Sequence, residues 1–348
     1  MQFSNLFAYE AFDRLISATE ASTLRDALGD RFVTRIFFAC DAHGSVPVFR
    51  KMVRVHETYN CDIVMMCGDL TGKAVVPIVE EKPGLWWSAP WGKKETCKSQ
   101  DAVDQIKKTY EKRGFYWFLT TPTELVDLEK DPDKVSELFV KLMLDRMREW
   151  VRLIEETIPP DVTVIVSPGN DDSSRIDDII KTSSRIIYPI GNVVDLDGDH
   201  SMISCEWVNS TPWKTPRECP DEELKLKLQV EFDRVENYTN LVCNFHAPPY
   251  GTQIDLAPKI DEKLRVKVRF GRPDMVSVGS KSVRESFEKH QPLLGLHGHI
   301  HESTGVEYIG RTLCVNPGSS YMQGMLNAFV IDLPKKHGDK VEVLNVSA

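Results

Sequence analysis

The sequence has no run of about 18 consecutive apolar residues, so it offers no helix of the length a bilayer demands. It also lacks paired cysteines. The eight cysteines, at 40, 61, 67, 97, 205, 219, 243 and 314, show no zinc-finger spacing, and several lie inside apolar runs, where free cysteine behaves as a small buried hydrophobe. Positive charge is not in excess: 43 Lys and Arg against 52 Asp and Glu leave a formal charge of -9. That balance disfavours a broad surface for a nucleic-acid backbone. The first residues, Met1-Gln2-Phe3-Ser4-Asn5, do not read as a basic region leading into an apolar leader core. Neither an internal repeat nor a low-complexity linker is found. The expectation is a cytoplasmic chain in a reducing compartment, without a membrane partner.

What the chain does have is five short polar punctuations in a fixed order: Asp41-Ala42-His43, Gly68-Asp69, Gly169-Asn170-Asp171, His246 within Asn244-Phe245-His246-Ala247-Pro248, and Gly298-His299-Ile300-His301. Each ends or closely follows an apolar run that reads as a buried strand: 33–40, 63–67, 162–166, 241–245 and 293–296. Five of the nine histidines (His43, His246, His297, His299, His301) stand beside these strands. Carboxylate oxygen, amide oxygen and neutral imidazole nitrogen are the donors that hard and borderline divalent cations take. Asp41 and His43 are two residues apart, as are His299 and His301, so in extended backbone each pair points into one small volume. A lone Asp-x-His is ordinarily a solvated loop. Five such punctuations in order describe a two-metal site.

The segment 46–58 has helical apolar spacing, and 61–67 returns to a strand ending at Gly68-Asp69. A strand-helix-strand unit needs parallel pairing, and its right-handed crossover puts both strand ends on one edge of the sheet. Between Asp69 and Asn170 stand 100 residues, more than one crossover helix requires. An insertion at about 73–158 is expected within a single domain spanning 1–348. It holds Trp86, Trp87, Trp91 and Trp117 with Phe115, Tyr116 and Phe118, read either as a wall that stacks on a substrate ring or as a satellite cluster. A long helix is predicted over 133–157, stopped by Pro159-Pro160. The run Asp195-Leu196-Asp197-Gly198-Asp199 reads as a hairpin turn, since it lacks the downstream acid of a calcium loop. Helices are expected over 221–237 and 282–289, and 326–333 with 341–346 should form strands of a second sheet.

The ordered motifs, spread over 33–320, resemble the calcineurin-like metallophosphoesterase superfamily. The strings His246-Ala247-Pro248-Pro249-Tyr250-Gly251-Thr252, Gly298-His299-Ile300-His301-Glu302-Ser303 and Asn316-Pro317-Gly318-Ser319 are similar to its Icc-related branch. The resemblance implies a four-layer α/β/β/α sandwich of two mixed sheets with an inserted helical and aromatic segment. It also implies two divalent cations, Mn²⁺ ahead of Fe, Zn or Mg. One would be held by Asp41, His43 and His301 and the other by Asn170, His246 and His299, with Asp69 shared by both. The implied activity is hydrolysis of a phosphodiester or phosphoanhydride in a small nucleotide-like substrate by a hydroxide bridging the cations. A nuclease, a phosphomonoesterase and a non-catalytic interaction scaffold are the alternatives. Asn170 and Asp171 are the catalytic candidates. Many relatives carry histidine at the second of these positions, as a general acid, and a carboxylate beside two dications should instead be ionised. His200 and His297 are the substitute acids to consider.

Overall fold

Buried strand runs with different residues on alternate faces require apolar partners on both sides. In the computed structural model, which describes residues 33–89, 92–334 and 339–348, this is met by two six-stranded mixed sheets. The opening Met1–Asn5 segment and Trp91 lie outside the described residues. The first sheet runs in the order Glu342–Ser347, Asn327–Leu333, Thr34–Ala39, Ile63–Cys67, Thr163–Ser167, Ile186–Ile187. The second runs Gly305–Ile309, Thr312–Asn316, Leu294–Leu296, Leu241–Phe245, Ser201–Cys205, Val194–Asp195. The protein is a mixed α/β sandwich.

The alternation of side chains sorts the core. Ile36, Phe38, Ile63, Met65 and Cys67 of the first sheet meet Met202, Val242, Leu294, Leu296 and Leu313 of the second. Their neighbours Phe37, Ala39, Val64 and Met66 face outward onto Phe49, Met52, Met147, Trp150 and Ile154. Those last three belong to the helix Pro132–Thr157, which begins one residue from its expected start and stacks Trp150 on Phe49 at a ring separation of 3.9 Å. On the far side, Ile203, Leu241, Cys243 and Phe245 are covered by Leu224, Leu228 and Phe232 of helix Asp221–Phe232 and Val283 and Phe287 of helix Lys281–His290. All eight cysteines are buried, and none is in a disulfide. Among the described residues no helix is long and apolar enough to cross a membrane.

Two local expectations are corrected. Residues 46–58 form two helices, Val46–Met52 and Val55–Tyr59, because the first ends at Val53 with its amide on Phe49 and Lys51. The C-terminal strands join the first sheet: Asn327–Leu333 pairs antiparallel with Thr34–Ala39, Phe38 opposite Phe329. Alternation tells which face of a strand is buried and is silent about which neighbour it pairs with. The 195–199 turn is as read, with Asp195 Oδ1 accepting from the amides of Asp197 and Gly198 at 3.1 and 2.7 Å and Ser201 pairing with Asp195.

Residues 75–120 include a four-stranded sheet of their own, in the order Glu95–Cys97, Leu85–Ser88, Val75–Lys82, Tyr116–Thr120. Trp86, Phe115 and Trp117 pack on its cluster of Val76, Ile78, Val103, Ile106 and Tyr110. These rings therefore serve the packing of the satellite sheet.

Candidate metal centre

Strands Thr34–Ala39, Ile63–Cys67 and Thr163–Ser167 are parallel in the first sheet, and Leu241–Phe245 and Leu294–Leu296 are parallel in the second. Each of these five ends at one of the polar motifs, so the loops that follow converge on a single edge of the sandwich. The first two loops run side by side: the amides of Asp41, His43 and Gly44 donate to the carbonyls of Gly68, Asp69 and Leu70 at 3.0, 2.8 and 2.8 Å. Turning this sharply forces left-handed backbone at Asp41 (φ 56°), His43 (φ 42°), Asp69 (φ 39°) and His299 (φ 67°). Such conformations in non-glycine residues cost of order 1–3 kcal/mol each and cluster where a site must be pre-shaped. Gly169 is required for a different reason: a Cβ there would lie 2.3 Å from the Asp69 amide and 2.7 Å from His246 Nε2.

The convergence produces two donor groups that share one residue. Asp41, His43, Asp69 and His301 form the first, and Asp69, His246 and His299 the second, with the donor atoms of each group within 4.8 Å of one another. Asp69 divides its oxygens between them. Its Oδ2 lies 3.6 Å from His43 Nε2 and its Oδ1 3.5 Å from His246 Nε2. His43 Nε2 and His301 Nε2 approach to 3.0 Å. Asn170 turns its Oδ1 to within 3.0 Å of His246 Nε2, because its Nδ2 is spent on Thr215 Oγ1 at 3.0 Å. The structure thus brings together all seven residues expected as ligands.

The environment suits cation binding. Asp41 Oδ1, which faces the donor groups, is buried without a hydrogen-bond partner, which a native structure rarely tolerates unless something else satisfies the atom. Burial pushes His43 well below the usual imidazole range and His299 down to about 3, so both rings present free nitrogen lone pairs. Burial would lower His246 too, but the carboxylates of Asp69 and Asp41 beside it prevail and raise it to about 9. Burial would raise Asp69, and the surrounding imidazoles of His246, His43 and His299 hold it below the ordinary carboxylate range instead. This donor set could hold metal ions.

Four residues that the sequence reading did not assign to the site shape it. Cys40 donates its thiol to Asp41 Oδ2 at 2.9 Å, and the His299 amide donates to the same oxygen at 3.1 Å, which turns Oδ1 toward the cluster. Burial raises that thiol far above its usual range and keeps the proton on sulfur. Asp172, fully buried, accepts from Leu70 N (2.8 Å), Thr71 N (2.8 Å), Thr71 Oγ1 (2.7 Å) and Gly169 N (2.9 Å), tying two ligand loops together. Arg217 anchors the same loop through the Asp172 carbonyl at 2.8 Å and Asp177 Oδ1 at 2.6 Å. Lys73 places its ammonium 2.5 Å from Asp171 Oδ2. A second acid following Asn170-Asp171 was the available signal for Asp172, and adjacency to Asp41 the signal for Cys40, which reads as a packing residue; nothing in the sequence singles out Arg217 or Lys73.

Asp171 stands at the rim, its amide on Asp69 Oδ1 at 2.8 Å and its carboxylate 3.8 Å from His43 Nδ1. Burial and the neighbouring Asp69 raise its pKa, with Lys73 opposing. The two substitute acids are placed elsewhere. His297 is fully buried, its Nδ1 on the carbonyls of Phe245 and Ala247 and its ring against Phe287. His200 is held by Asp197 at 3.0 Å ahead of Ser201–Cys205. That strand is parallel to Leu241–Phe245, whose far end carries His246, so His200 sits at the opposite edge.

No family model matches the chain. The uncharacterised protein MJ1162 of Methanocaldococcus jannaschii is 31% identical over 160 residues, 44% of this chain and 63% of that protein, so the match spans less than two thirds of the relative. One solved crystal structure superposes over 90% of this chain and 99% of its own with a TM-score of 0.54 at 16% identity. That likeness shows a shared fold. The crystal structure of TT1561 of Thermus thermophilus covers the same shares at 13% identity with a TM-score of 0.49.

Proposed function

We propose that this protein is a dinuclear metal-dependent phosphoesterase of the calcineurin-like type, acting on a phosphodiester or phosphoanhydride of a small nucleotide-like molecule. The observation that carries the reading is Asp69, whose two oxygens face two separate donor groups. One cation would be held by Asp41, His43 and His301 and the other by Asn170, His246 and His299, with Asp69 common to both. When bound, divalent cations supply a Lewis-acid charge that lowers the pKa of water and offsets charge on a phosphoryl group.

This chain's own residues do the positioning. Cys40 and the His299 amide aim one oxygen of Asp41, Thr215 aims the amide oxygen of Asn170, and Asp172 keeps the loops of Asp69 and Asn170 in register. Lys73 contributes a fixed positive charge at the rim. The carboxylate and amide oxygens suit Mn²⁺, the imidazoles would equally accept Fe or Zn, and water is the nucleophile the reading requires. The test is a panel of phosphomonoesters, cyclic nucleotides, dinucleotides and oligonucleotides assayed with added Mn²⁺. Turnover of diesters or anhydrides that vanishes on chelation is the expected result; a metal-loaded protein inert toward every class would refute the proposal.

A further inference from the structure

Lys73 is four residues beyond Asp69, and the backbone leading to it is fixed at each step. The amides of Leu70 and Thr71 are held by Asp172, and the amide of Gly72 donates to the hydroxyl of Tyr116 at 2.8 Å. Gly72 also lies against the turn before Tyr116–Thr120 so closely that a Cβ would come 1.9 Å from the Gly114 carbonyl oxygen. The inserted segment, through Gly114 and Tyr116, therefore clamps the loop that carries Lys73. Half of the Lys73 side chain is exposed, yet its ammonium turns inward to Asp171. The Asp171 oxygen that it meets lies 3.8 Å from His43 Nδ1, which sets the ammonium beside the imidazole cluster. A cation so rooted at the mouth of a carboxylate and imidazole cluster is placed to meet an anion.

Building on the phosphoesterase reading, we propose that Lys73 is the anion-recognition residue of this site and that the Asp171 carboxylate occupies its ammonium until a phosphoryl oxyanion takes the carboxylate's place. The half-exposed ammonium of Lys73 remains open to solvent while it faces the more buried Asp171, so an incoming oxyanion can reach it and replace one charge-assisted contact with another. The exchange also explains an acid at the rim of a site for anions. Asp171 acts as a resident competitor: it keeps Lys73 turned inward when no ligand is present and discriminates against weakly charged ligands. Ammonium is a compact point charge with three donors, suited to a phosphoryl oxygen whose direction varies among substrates.

The experiment uses the full chain loaded with Mn²⁺, with inorganic phosphate as the probe, read by calorimetry and by competition against an aryl phosphodiester. Lys73→Met and Lys73→Gln should weaken phosphate binding on the order of 10- to 100-fold, the range for losing a charged hydrogen bond, with bound metal and Tm unchanged. Lys73→Arg should retain part of the affinity. Asp171→Asn should tighten phosphate binding in the wild-type background and lose most of that gain alongside Lys73→Met, because the competitor matters only while the ammonium is there. Wild-type phosphate affinity in Lys73→Met and Lys73→Gln with metal intact would overturn the proposal, as would an equal effect of Asp171→Asn in both backgrounds. If the metal-loaded wild type neither binds phosphate nor hydrolyses any ester, the phosphoesterase reading itself falls, and this inference with it.

Discussion

The thiol of Cys40 donates to Oδ2 of Asp41 at 2.9 Å, and together with the His299 amide on the same oxygen it leaves Oδ1 to face the donor cluster. Oδ1 is the buried atom without a partner. Partners one bond removed from a ligand typically govern metal affinity by 10- to 100-fold. Cys40→Ala is expected to weaken the binding of the cation held by Asp41 by about tenfold. Cys40→Ser should recover most of it, since a hydroxyl also donates. Titration of the metal-free variants with Mn²⁺ by calorimetry checks both, and equal affinities for Ala and Ser would reduce Cys40 to a packing residue.

Asp69 is the residue on which both donor groups depend. Asp69→Ala should lower the occupancy of both cations and reduce hydrolysis on the order of a thousandfold or more, while His301→Ala should lose mainly the first cation. Metal content by elemental analysis beside the rate of aryl phosphodiester hydrolysis separates the cases. Unchanged metal content in Asp69→Ala would remove the shared-ligand assignment.

The seven residues that the structure brings together could be picked out in the sequence because donor types of this kind stand at strand ends, and strand ends are marked by long apolar runs. The sandwich was legible for a related reason: a strand buried on both faces carries unbroken apolar sequence, as Ile63–Cys67 does. What escaped the sequence depends on pairing in space. Asn327–Leu333 was placed in the wrong sheet because its alternation fits either one. Lys73 and Thr215 are ordinary surface residue types whose roles arise from the distant residues they meet, Asp171 and Asn170. Cys40 was read as packing, and its contact with Asp41 emerges only from the left-handed turn that brings the carboxylate back over the thiol.

Trp86 and Trp117 rest on the satellite sheet, and the Trp117 indole donates to Glu111 at 3.1 Å. Trp86→Ala or Trp117→Ala should therefore lower stability by about 2–4 kcal/mol, seen as a drop in Tm. KM should change little, and equally, for a base-containing diester and a plain aryl diester. A selective rise in KM for the base-containing substrate would show that these rings reach the ligand.

Asp172 offers the sharpest test of how the site is held together. Its carboxylate is fully buried and accepts four hydrogen bonds, three of them from backbone amides in the two loops that carry Asp69 and Asn170. Asp172→Ala would leave those amides buried and unpaired, at about 1–3 kcal/mol for each group that water cannot reach, so a loss of several kcal/mol is expected. Asp172→Asn keeps one carbonyl oxygen as acceptor and turns an NH₂ toward amides that also donate, so it should recover only part of that loss. Both variants should weaken Mn²⁺ binding, because the loops of Asp69 and Asn170 are no longer pinned to each other. Denaturant unfolding of the metal-free protein, followed by Mn²⁺ titration, measures the two effects separately. A large loss of stability with unchanged metal affinity would mean that Asp172 supports the fold without positioning the ligands.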